Sequence, residues 1–388
     1  MKRDTRLVRT GRPGGHDGGP DGLVNAAVKR ASTVLAPSTQ ELYSPSGTRL
    51  HYGRGGVSPN QELRAALCEL YAADYAGLAP SGLNAVIFAL LAALPDRPAG
   101  MQALITDSAY GPVRRYCEQE LPRYGVEPVF YDPRIGADIA QLMDATPTAL
   151  VLLESPGSLT FEVQDVPAIA SAARAAGAAS VIDDTWTAGV LMNPLELGVD
   201  YAAQSLTKYV GGHSDFLMGA VTARGDAAKR LAMLASRYGL HASPDDAFLA
   251  LRGLRTLGLR IERSAATALT LARRLEAHPR IARVLHPAIE TSPDHALFKR
   301  DFSGAAGCFS VVLDGVDARA GEAFADALEL FGLGFSWGGY ESLVLPCDRQ
   351  IKRTALPWTA EGALIRFAIG LEDVDDLWAD LEAGLDRL

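Results

Sequence analysis

The sequence lacks the short motifs that mark several common classes of enzyme. It contains no GxGxxG, GxxxxGK(S/T) or HExxH pattern, which leaves the usual nucleotide-binding loops and zinc-protease sites without support. Its four cysteines lie far apart and form no CxxC pair. This argues against a zinc knuckle or a disulfide framework and fits a reducing compartment. The seven histidines are scattered, with no pair at ligand spacing on one helix, so we predict no metal site.

Long basic runs and long apolar runs are also missing. The net charge over 388 residues is -9, so nucleic acid and anionic membranes are not expected as partners. The longest apolar run, 85–94, is too short to cross a bilayer and indicates a buried helix. The first 22 residues are polar and glycine-rich, without the apolar core of a signal peptide. We therefore predict a cytoplasmic protein.

What the sequence does contain divides into three regions. Residues 1–60 are rich in Gly, Pro, Ser and Arg and predict an extended arm with loops that contacts a neighbouring subunit. Residues 61–255 alternate apolar strands with amphipathic helices, beginning with a helix that Asn60 could cap. This alternation predicts a large α/β domain with a parallel sheet. Residues 256–388 begin with a long helix and predict a smaller α+β domain.

Polar side chains follow three of the predicted strands. They are Glu154 and Ser155, Asp183 and Asp184, and then Ser205, Thr207 and Lys208. Each has an ordinary interpretation: a carboxylate or hydroxyl can cap a helix or form a turn, and most lysines are solvated surface charges. However, open parallel sheets bind ligands at the carboxyl ends of their strands. One cleft there could hold all these groups.

This set matches the needs of pyridoxal phosphate. The cofactor needs a lysine for a Schiff base and a carboxylate at the pyridine nitrogen, which Lys208 and Asp183 could supply. Its phosphate needs hydroxyls and a helix N-terminus, and a predicted helix starts directly after Gly82. Tyr110 follows another strand and could stack on the ring.

The motifs in combination resemble those of the Cys/Met-metabolism family of pyridoxal-phosphate enzymes, over almost the full chain. They include YGRGG, PSGL, DSAYGP, LLESPGSLTFEVQDVPAI, VIDDTWTAGVL, QSLTKYVGGHSD, SWGGYESL and IRFAIGLEDVDDL. The resemblance implies the aspartate aminotransferase-like fold of PLP-dependent transferases. That fold has a mostly parallel sheet in a large domain and a smaller α+β C-terminal domain. It also implies a homo-oligomer, a tetramer built as a dimer of dimers.

Site residues carry over position by position as implications of the resemblance. Lys208 becomes the Schiff-base lysine and proton carrier, Asp183 the partner of the pyridine nitrogen, and Tyr110 the stacking and catalytic tyrosine. The implied phosphate ligands are Gly82, Leu83, Ser205 and Thr207, with Tyr52 and Arg54 coming from the neighbouring subunit. The implied substrate ligands are Arg366, which binds the α-carboxylate, and Ser336, Trp337 and Tyr110. Asp184 stands where relatives often carry Asn, and Leu83 where Met is common.

The resemblance implies β-elimination of an S-substituted cysteine, L-cystathionine above all, to pyruvate, ammonia and a thiol. Other cysteine conjugates, and γ-elimination or γ-replacement by the same family, stay open as alternatives. Trp337 and Tyr340 look like the β-acting version of their loop, and Phe335 lies where γ-acting relatives often carry Glu. A non-catalytic binding protein on this fold would be expected to have lost Lys208, Asp183 or Arg366, and all three are present.

Overall fold

The computed structural model describes residues 1–12, 22–43, 50–360 and 362–388. The parts of the predicted arm at 13–21 and 44–49 lie outside the described residues. The α-helices are α1 (Arg3–Arg9), α2 (Thr39–Tyr43), α3 (Asn60–Tyr71), α4 (Gly82–Ala93), α5 (Gly111–Glu120), α6 (Ile139–Ala145), α7 (Val166–Ala175), α8 (Gly225–Tyr238), α9 (Pro244–Leu254), α10 (Leu257–Glu276), α11 (His295–Asp301), α12 (Ala318–Asp326) and α13 (Val374–Leu385). The strands are β1 (Tyr75–Ala79), β2 (Met101–Thr106), β3 (Val126–Tyr131), β4 (Thr148–Glu154), β5 (Ala179–Asp183), β6 (Tyr201–Ser205), β7 (Gly219–Ala223), β8 (Ile281–Leu285), β9 (Cys308–Leu313), β10 (Gly332–Leu333), β11 (Leu343–Pro346) and β12 (Leu364–Ala368).

The larger sheet has seven strands in the order β1-β7-β6-β5-β4-β2-β3. Only β7 runs against its neighbours, and the rest of the sheet is parallel. The strands are almost continuously apolar because helices cover the sheet and bury it. The carboxyl ends of β4, β5 and β6 therefore lie side by side, with Glu154 opposite Asp183 in the ladder.

Helix α4 confirms the buried helix predicted at 85–94. Its buried side chains are Ala, Val and Leu, and they pack on β5, β6 and β7. Ser81 caps the helix because its hydroxyl accepts from the N–H of Asn84 at 3.2 Å. The cap predicted at Asn60 is wrong: Asn60 is the first residue of α3, and its amide donates to the carbonyl of Ala242 at 2.9 Å.

The smaller sheet has five strands in the order β10-β11-β12-β9-β8. It is largely antiparallel, and α10, α12 and α13 bury one of its faces. Strand β12 carries Arg366, directly beside Ser310 of β9. The two sheets together confirm the predicted fold class, while the boundaries at 60 and 255 stay predictions.

The N-terminal region is not extended throughout. Residues 3–9 form α1, which packs on α10 through the buried Leu7. The short segment offers too little apolar periodicity for a helix to be predicted, and its packing supplies the stabilisation. None of the helices in the described ranges is long and apolar enough to cross a membrane.

Candidate active site

A cavity lies at the carboxyl ends of β4, β5 and β6, with walls from both sheets. It brings together nine of the twelve predicted site residues: Gly82, Leu83, Tyr110, Asp183, Ser205, Thr207, Lys208, Trp337 and Arg366. The strand order explains this meeting, because three consecutive strands of the sheet end at the same edge. Arg366 and Trp337 come from the smaller sheet and its loops and close the cavity from the other side.

Lys208 is the amine of this cavity. Its Nζ donates to the hydroxyl of Ser336 at 2.9 Å and lies 5.4 Å from the centre of the Trp337 ring. Burial, helped by the positive charge of Arg366, lowers the pKa of Lys208 to about 8. The lowered pKa increases the fraction of the side chain that is the neutral amine, the form that acts as a nucleophile or base.

Asp183 is held by the residue two positions later. Thr185 donates to its Oδ1 from both its N–H, at 3.0 Å, and its hydroxyl, at 2.5 Å. Burial raises the pKa of Asp183, while these hydrogen bonds and the charge of Lys208 oppose the rise. The hydroxyl of Thr185 also accepts from the N–H of Ser205 at 2.9 Å. Thr185 thus fixes the carboxylate and the end of β6 together, a role that the sequence reasoning missed.

Asp184 points away from the cavity into the core and is fully buried. It accepts a hydrogen bond from the Tyr71 hydroxyl at 2.7 Å and another from the Thr187 hydroxyl. Gln204 in turn donates to the Tyr71 hydroxyl at 2.8 Å. Burial raises the pKa of Asp184 to about 8. Asp184 is therefore a member of a buried polar network. Of the two aspartates, Asp183 lines the cavity and Asp184 does not.

The start of α4 provides an anion-binding feature. The first N–H groups of a helix have no partner within the helix and carry a partial positive charge. Here the helix begins beside the end of β6, which lies so close that a Cβ on Gly82 would come within 2.4 Å of the Ser205 side chain. Thr207 completes this corner, and its hydroxyl is fixed by the main chain of Met218 at 3.1 and 3.2 Å.

Tyr110 immediately precedes α5, is 46% exposed and lines the cavity. Its N–H donates to Glu154 Oε2 at 2.7 Å. Partial burial and the carboxylates Asp183 and Glu154 raise the pKa of the Tyr110 phenol. Burial also raises the pKa of Glu154 well above its usual range, with Asp183 adding to the rise. Glu154 was noted in the sequence only as a polar strand end, and the structure makes it the support of Tyr110.

Arg366 is buried and directed by the loop before β11. Its Nη2 donates to the carbonyls of Phe335 and Ser336, each at 3.0 Å. Its Nε is buried and has no hydrogen-bond partner among the described residues. A buried guanidinium N–H without a partner is costly. A substrate carboxylate is the group that would satisfy it.

The loop that holds Arg366 also reads GFSWG from Gly334 to Gly338, a match to the GxSxG pattern of serine hydrolases. That pattern requires a sharp turn from a strand into a helix. Here the loop joins β10 to β11, with no helix after it, and Ser336 accepts from Lys208. The match has no mechanistic content. The same loop places Phe335 at the cavity and leaves Tyr340 outside its lining.

Tyr52 and Arg54 do not reach the cavity of their own chain. Tyr52 is 51% exposed, and Arg54 makes a long hydrogen bond, 3.4 Å, to the carbonyl of Ser236. This placement leaves the predicted role in a neighbouring subunit's site as a prediction.

The cavity has further lining residues that sequence reasoning did not select. They are Ser81, Val113, Pro156, Gly157, Ser158, Leu159, Phe161, Trp186, Leu217 and Cys308. Trp186 is fixed by donating to the carbonyl of Cys308 at 3.1 Å. Most of these residues are apolar and carry no chemical signal, so only their position in the fold identifies them.

The groups around the cavity fit pyridoxal phosphate. An amine of lowered pKa lies in the same cavity as a fixed carboxylate, as the cofactor's aldehyde and pyridine nitrogen require. The close approach of Gly82 to Ser205 leaves the phosphate corner bounded by main-chain N–H groups and hydroxyls.

Comparison with known proteins agrees with this chemistry. The model of the family "Cys/Met metabolism PLP-dependent enzyme" matches residues 4–386. A putative cystathionine beta-lyase of Rhizobium johnstonii is 45% identical over 94% of this chain and 91% of its own. The cystathionine beta-lyase of Escherichia coli K12 is 39% identical over 100% of this chain and 99% of its own.

Relatives with other activities match nearly as well. An L-alanine/L-glutamate racemase of Wolbachia pipientis is 38% identical over 100% of this chain and 98% of its own. The solved structure of cystathionine gamma synthase from Xanthomonas oryzae superposes with a TM-score of 0.89 at 31% identity, covering 100% of this chain and 98% of the other. The chain therefore belongs to the family of Cys/Met metabolism PLP-dependent enzymes.

Proposed function

We propose that this protein is a carbon–sulfur lyase that splits S-substituted L-cysteines by β-elimination, with L-cystathionine as its substrate. The observation that carries the proposal is that Lys208 and Arg366 line one cavity. Lys208 is an amine whose pKa is lowered to about 8, and Arg366 is a buried guanidinium with an N–H that has no partner among the described residues. Such a pair suits an α-amino acid, whose carboxylate and Cα proton are handled by separate groups. The relatives named cystathionine beta-lyase, at 45% and 39% identity, favour the β reaction.

Arg366 would set the orientation of the substrate. Carbonyls of the loop before β11 hold its Nη2, so the guanidinium is fixed before the substrate arrives. A carboxylate bound at its remaining N–H groups places the rest of the amino acid toward Lys208. This preorganisation lowers the entropy cost of reaching the reactive geometry.

Lys208 would move the proton at Cα. Pyridoxal phosphate, when bound, supplies an aldehyde for the substrate's amine and a ring that withdraws electrons from Cα. Lys208 and Asp183 would hold the cofactor's two ends, with Gly82, Leu83, Ser205 and Thr207 at its phosphate. Ser336 directs the Lys208 amine, and the lowered pKa keeps part of it able to accept the proton.

Tyr110 would protonate the departing sulfur. Burial and two nearby carboxylates raise its pKa, so it is a phenol and a proton donor at neutral pH. As the Cβ–S bond breaks, the sulfur takes the electron pair and leaves as a thiol. With one water, cystathionine then gives homocysteine, pyruvate and ammonia.

Chemistry at Cγ needs a second proton removal, from Cβ. Phe335 occupies the cavity side of its loop and has no group that could assist. The carboxyls in the described lining are Asp183, which Thr185 holds, and Glu154, which supports Tyr110. These contacts favour β-elimination over γ-elimination.

The proposal extends to assembly and location. The exposed positions of Tyr52 and Arg54 are consistent with phosphate contacts made across a dimer, paired further into a tetramer. The four free cysteines, three of them buried, are consistent with the cytoplasm.

Purified protein offered L-cystathionine is expected to release pyruvate and homocysteine, measured by lactate dehydrogenase coupling and thiol analysis. Release of 2-oxobutyrate and cysteine would contradict the proposal and support γ-elimination. Conversion of L-alanine to D-alanine, without pyruvate from cystathionine, would instead assign the protein to the racemases.

A further inference from the structure

One wall of the cavity has a strained backbone. The wall segment, residues 157–161, contains two apolar residues in the left-handed region, Leu159 at φ 68° and Phe161 at φ 57°. A residue with a Cβ is strained in this region of backbone conformation, and such strain persists only where surrounding contacts enforce it. Both side chains are buried and line the cavity. The contacts that enforce this turn therefore also shape the cavity.

Arg353 makes the contacts that bracket the strained Leu159. Its Nη2 donates to the carbonyl of Ser158 at 3.0 Å and to the hydroxyl of Thr160 at 2.6 Å. Thr160 extends this hydrogen-bond chain, because its hydroxyl donates to the buried Glu162 at 2.6 Å. One guanidinium thus fixes the residues on both sides of Leu159.

Arg353 belongs to a strap, residues 352–356, that follows β11 of the smaller sheet and contacts Asp107 and Arg114 of the larger domain. Asp107, fully buried at the end of β2, anchors the strap. It accepts from the N–H groups of Thr354 at 2.8 Å and Ala355 at 2.9 Å, and it pairs with Arg114 at 2.7 Å. Although burial raises the pKa of Asp107, these donors outweigh it and lower the pKa below its usual range. The anchor therefore stays charged and keeps Arg353 over the wall segment.

The wall segment in turn contacts the smaller sheet. Leu159 packs with Val312 of β9 and Leu364 of β12, the strand that carries Arg366. Strap and wall together therefore join the half of the site that holds Lys208 to the half that holds Arg366.

We propose that Arg353 is a positioning residue that holds the wall segment in its left-handed turn and thereby determines which sulfur substituents the cavity accepts. The proposal rests on the proposed function, since the substituents are those of S-substituted cysteines. It assigns no chemical step to Arg353 itself, which acts through Ser158, Thr160 and the apolar side chains between them.

The test compares Arg353→Met, which removes the donors, with Lys352→Met as a matched control. Lys352 is the neighbouring cation of the strap, but its ammonium pairs with Glu118 on the surface and does not touch the wall. In R353M the amides of 157–162 should exchange with deuterium at least about tenfold faster, while those in K352M stay as in the wild type. Unchanged exchange in R353M would overturn the proposal without reference to activity.

The second readout is substrate discrimination. The ratio of kcat/KM for L-cystathionine to that for S-methyl-L-cysteine should change at least about fivefold in R353M and stay constant in K352M. An equal loss for both substrates, with a lowered Tm, would show a merely structural role and overturn the proposal. R353K keeps the positive charge but has a single donor nitrogen, so it should restore both readouts in part. If R353M does not fold, an R353K variant whose substrate ratio and amide exchange equal those of the wild type overturns the proposal.

These outcomes separate the two proposals. A wild-type protein that releases no pyruvate from either substrate refutes the proposed function. The exchange of the wall amides still decides whether Arg353 holds the wall.

Discussion

Asp183 and Asp184 are adjacent in the chain, but their carboxyl groups lie in different environments. Adjacent residues at the end of a strand point to opposite faces of the sheet. Asp183 therefore reaches the cavity, and Asp184 enters the core beside Tyr71 and Thr187. The sequence reasoning left Asp184 open between a structural cap and an active-site neighbour, and its buried contacts make it structural.

A prediction at the residue scale concerns Asp184→Asn. Burial raises the pKa of Asp184 from 3.8 to about 8 in the folded protein. Between these values the folded state binds more protons than the unfolded state, so wild-type stability falls as pH rises. The neutral amide removes this loss. The free energy of unfolding of D184N relative to wild type should therefore rise from pH 5 to pH 8 by about 1 kcal/mol per pH unit.

Urea unfolding at several pH values measures the effect. Turnover of cystathionine should stay close to wild type, because Asp184 does not line the cavity. A stability difference that is flat across this pH range would show that Asp184 is ionised in the fold.

At the scale of elements, α4 contributes to the site through the main-chain N–H groups of its first turn. The sequence predicts the helix from its apolar residues, but the helix acts at the site through its first turn, next to Ser205. Ser81 fixes that beginning, and Gly82 lets β6 approach. The position of a helix end relative to a neighbouring strand is a tertiary property.

Gly82→Ala tests this junction. The new Cβ would lie 2.4 Å from the Ser205 side chain, so α4 and β6 must separate. Overpacking of this kind costs roughly 1–3 kcal/mol. We expect G82A to bind pyridoxal phosphate at least about tenfold more weakly, as measured by titration of the cofactor-free protein in absorbance.

Gly111→Ala is the matched control. Gly111 is also the first residue of a helix at the cavity rim, but nothing lies within 4 Å of its added Cβ. G111A should bind the cofactor as the wild type does. Equal affinities for G82A and G111A would refute the account of the phosphate corner.

At the scale of the whole molecule, the site exists because two sheets meet. Asp183 ends a strand of the larger sheet, Lys208 follows the next strand, and Arg366 lies in the smaller sheet; the hydrogen bond from Lys208 to Ser336 joins the two halves. Arg54 does not line its own chain's cavity, so the phosphate contact proposed for it would need a second subunit.

Subunit complementation checks the role of Arg54. Lys208→Ala and Arg54→Ala should each be nearly inactive alone, with a loss of about 1,000-fold for K208A because the proton carrier is gone. If Arg54 serves the neighbouring site, mixed dimers contain one intact site, and an equal mixture should recover about a quarter of wild-type activity.

A mixture of K208A with Asp183→Asn is the control, because both changes affect groups of one chain's site and no mixed dimer has an intact one. Recovery in neither mixture would place Arg54 outside the neighbouring site. Wild-type turnover by R54A alone would remove it from the reaction.

The sequence by itself determined the strands, the main helices and the residue types of the site. Alternating apolar segments predict the α/β fold, and polar residues at strand ends predict where Lys208 and Asp183 meet. These patterns are local, because the periodicity of apolar residues within a short segment shows which side chains are buried. The tertiary structure alone decided that Asp184 is buried, that Thr185 and Glu154 contact the site residues, and that Arg353 donates to a strained wall segment. Those contacts join residues distant in sequence or depend on which face a side chain occupies, and only the packed chain sets both.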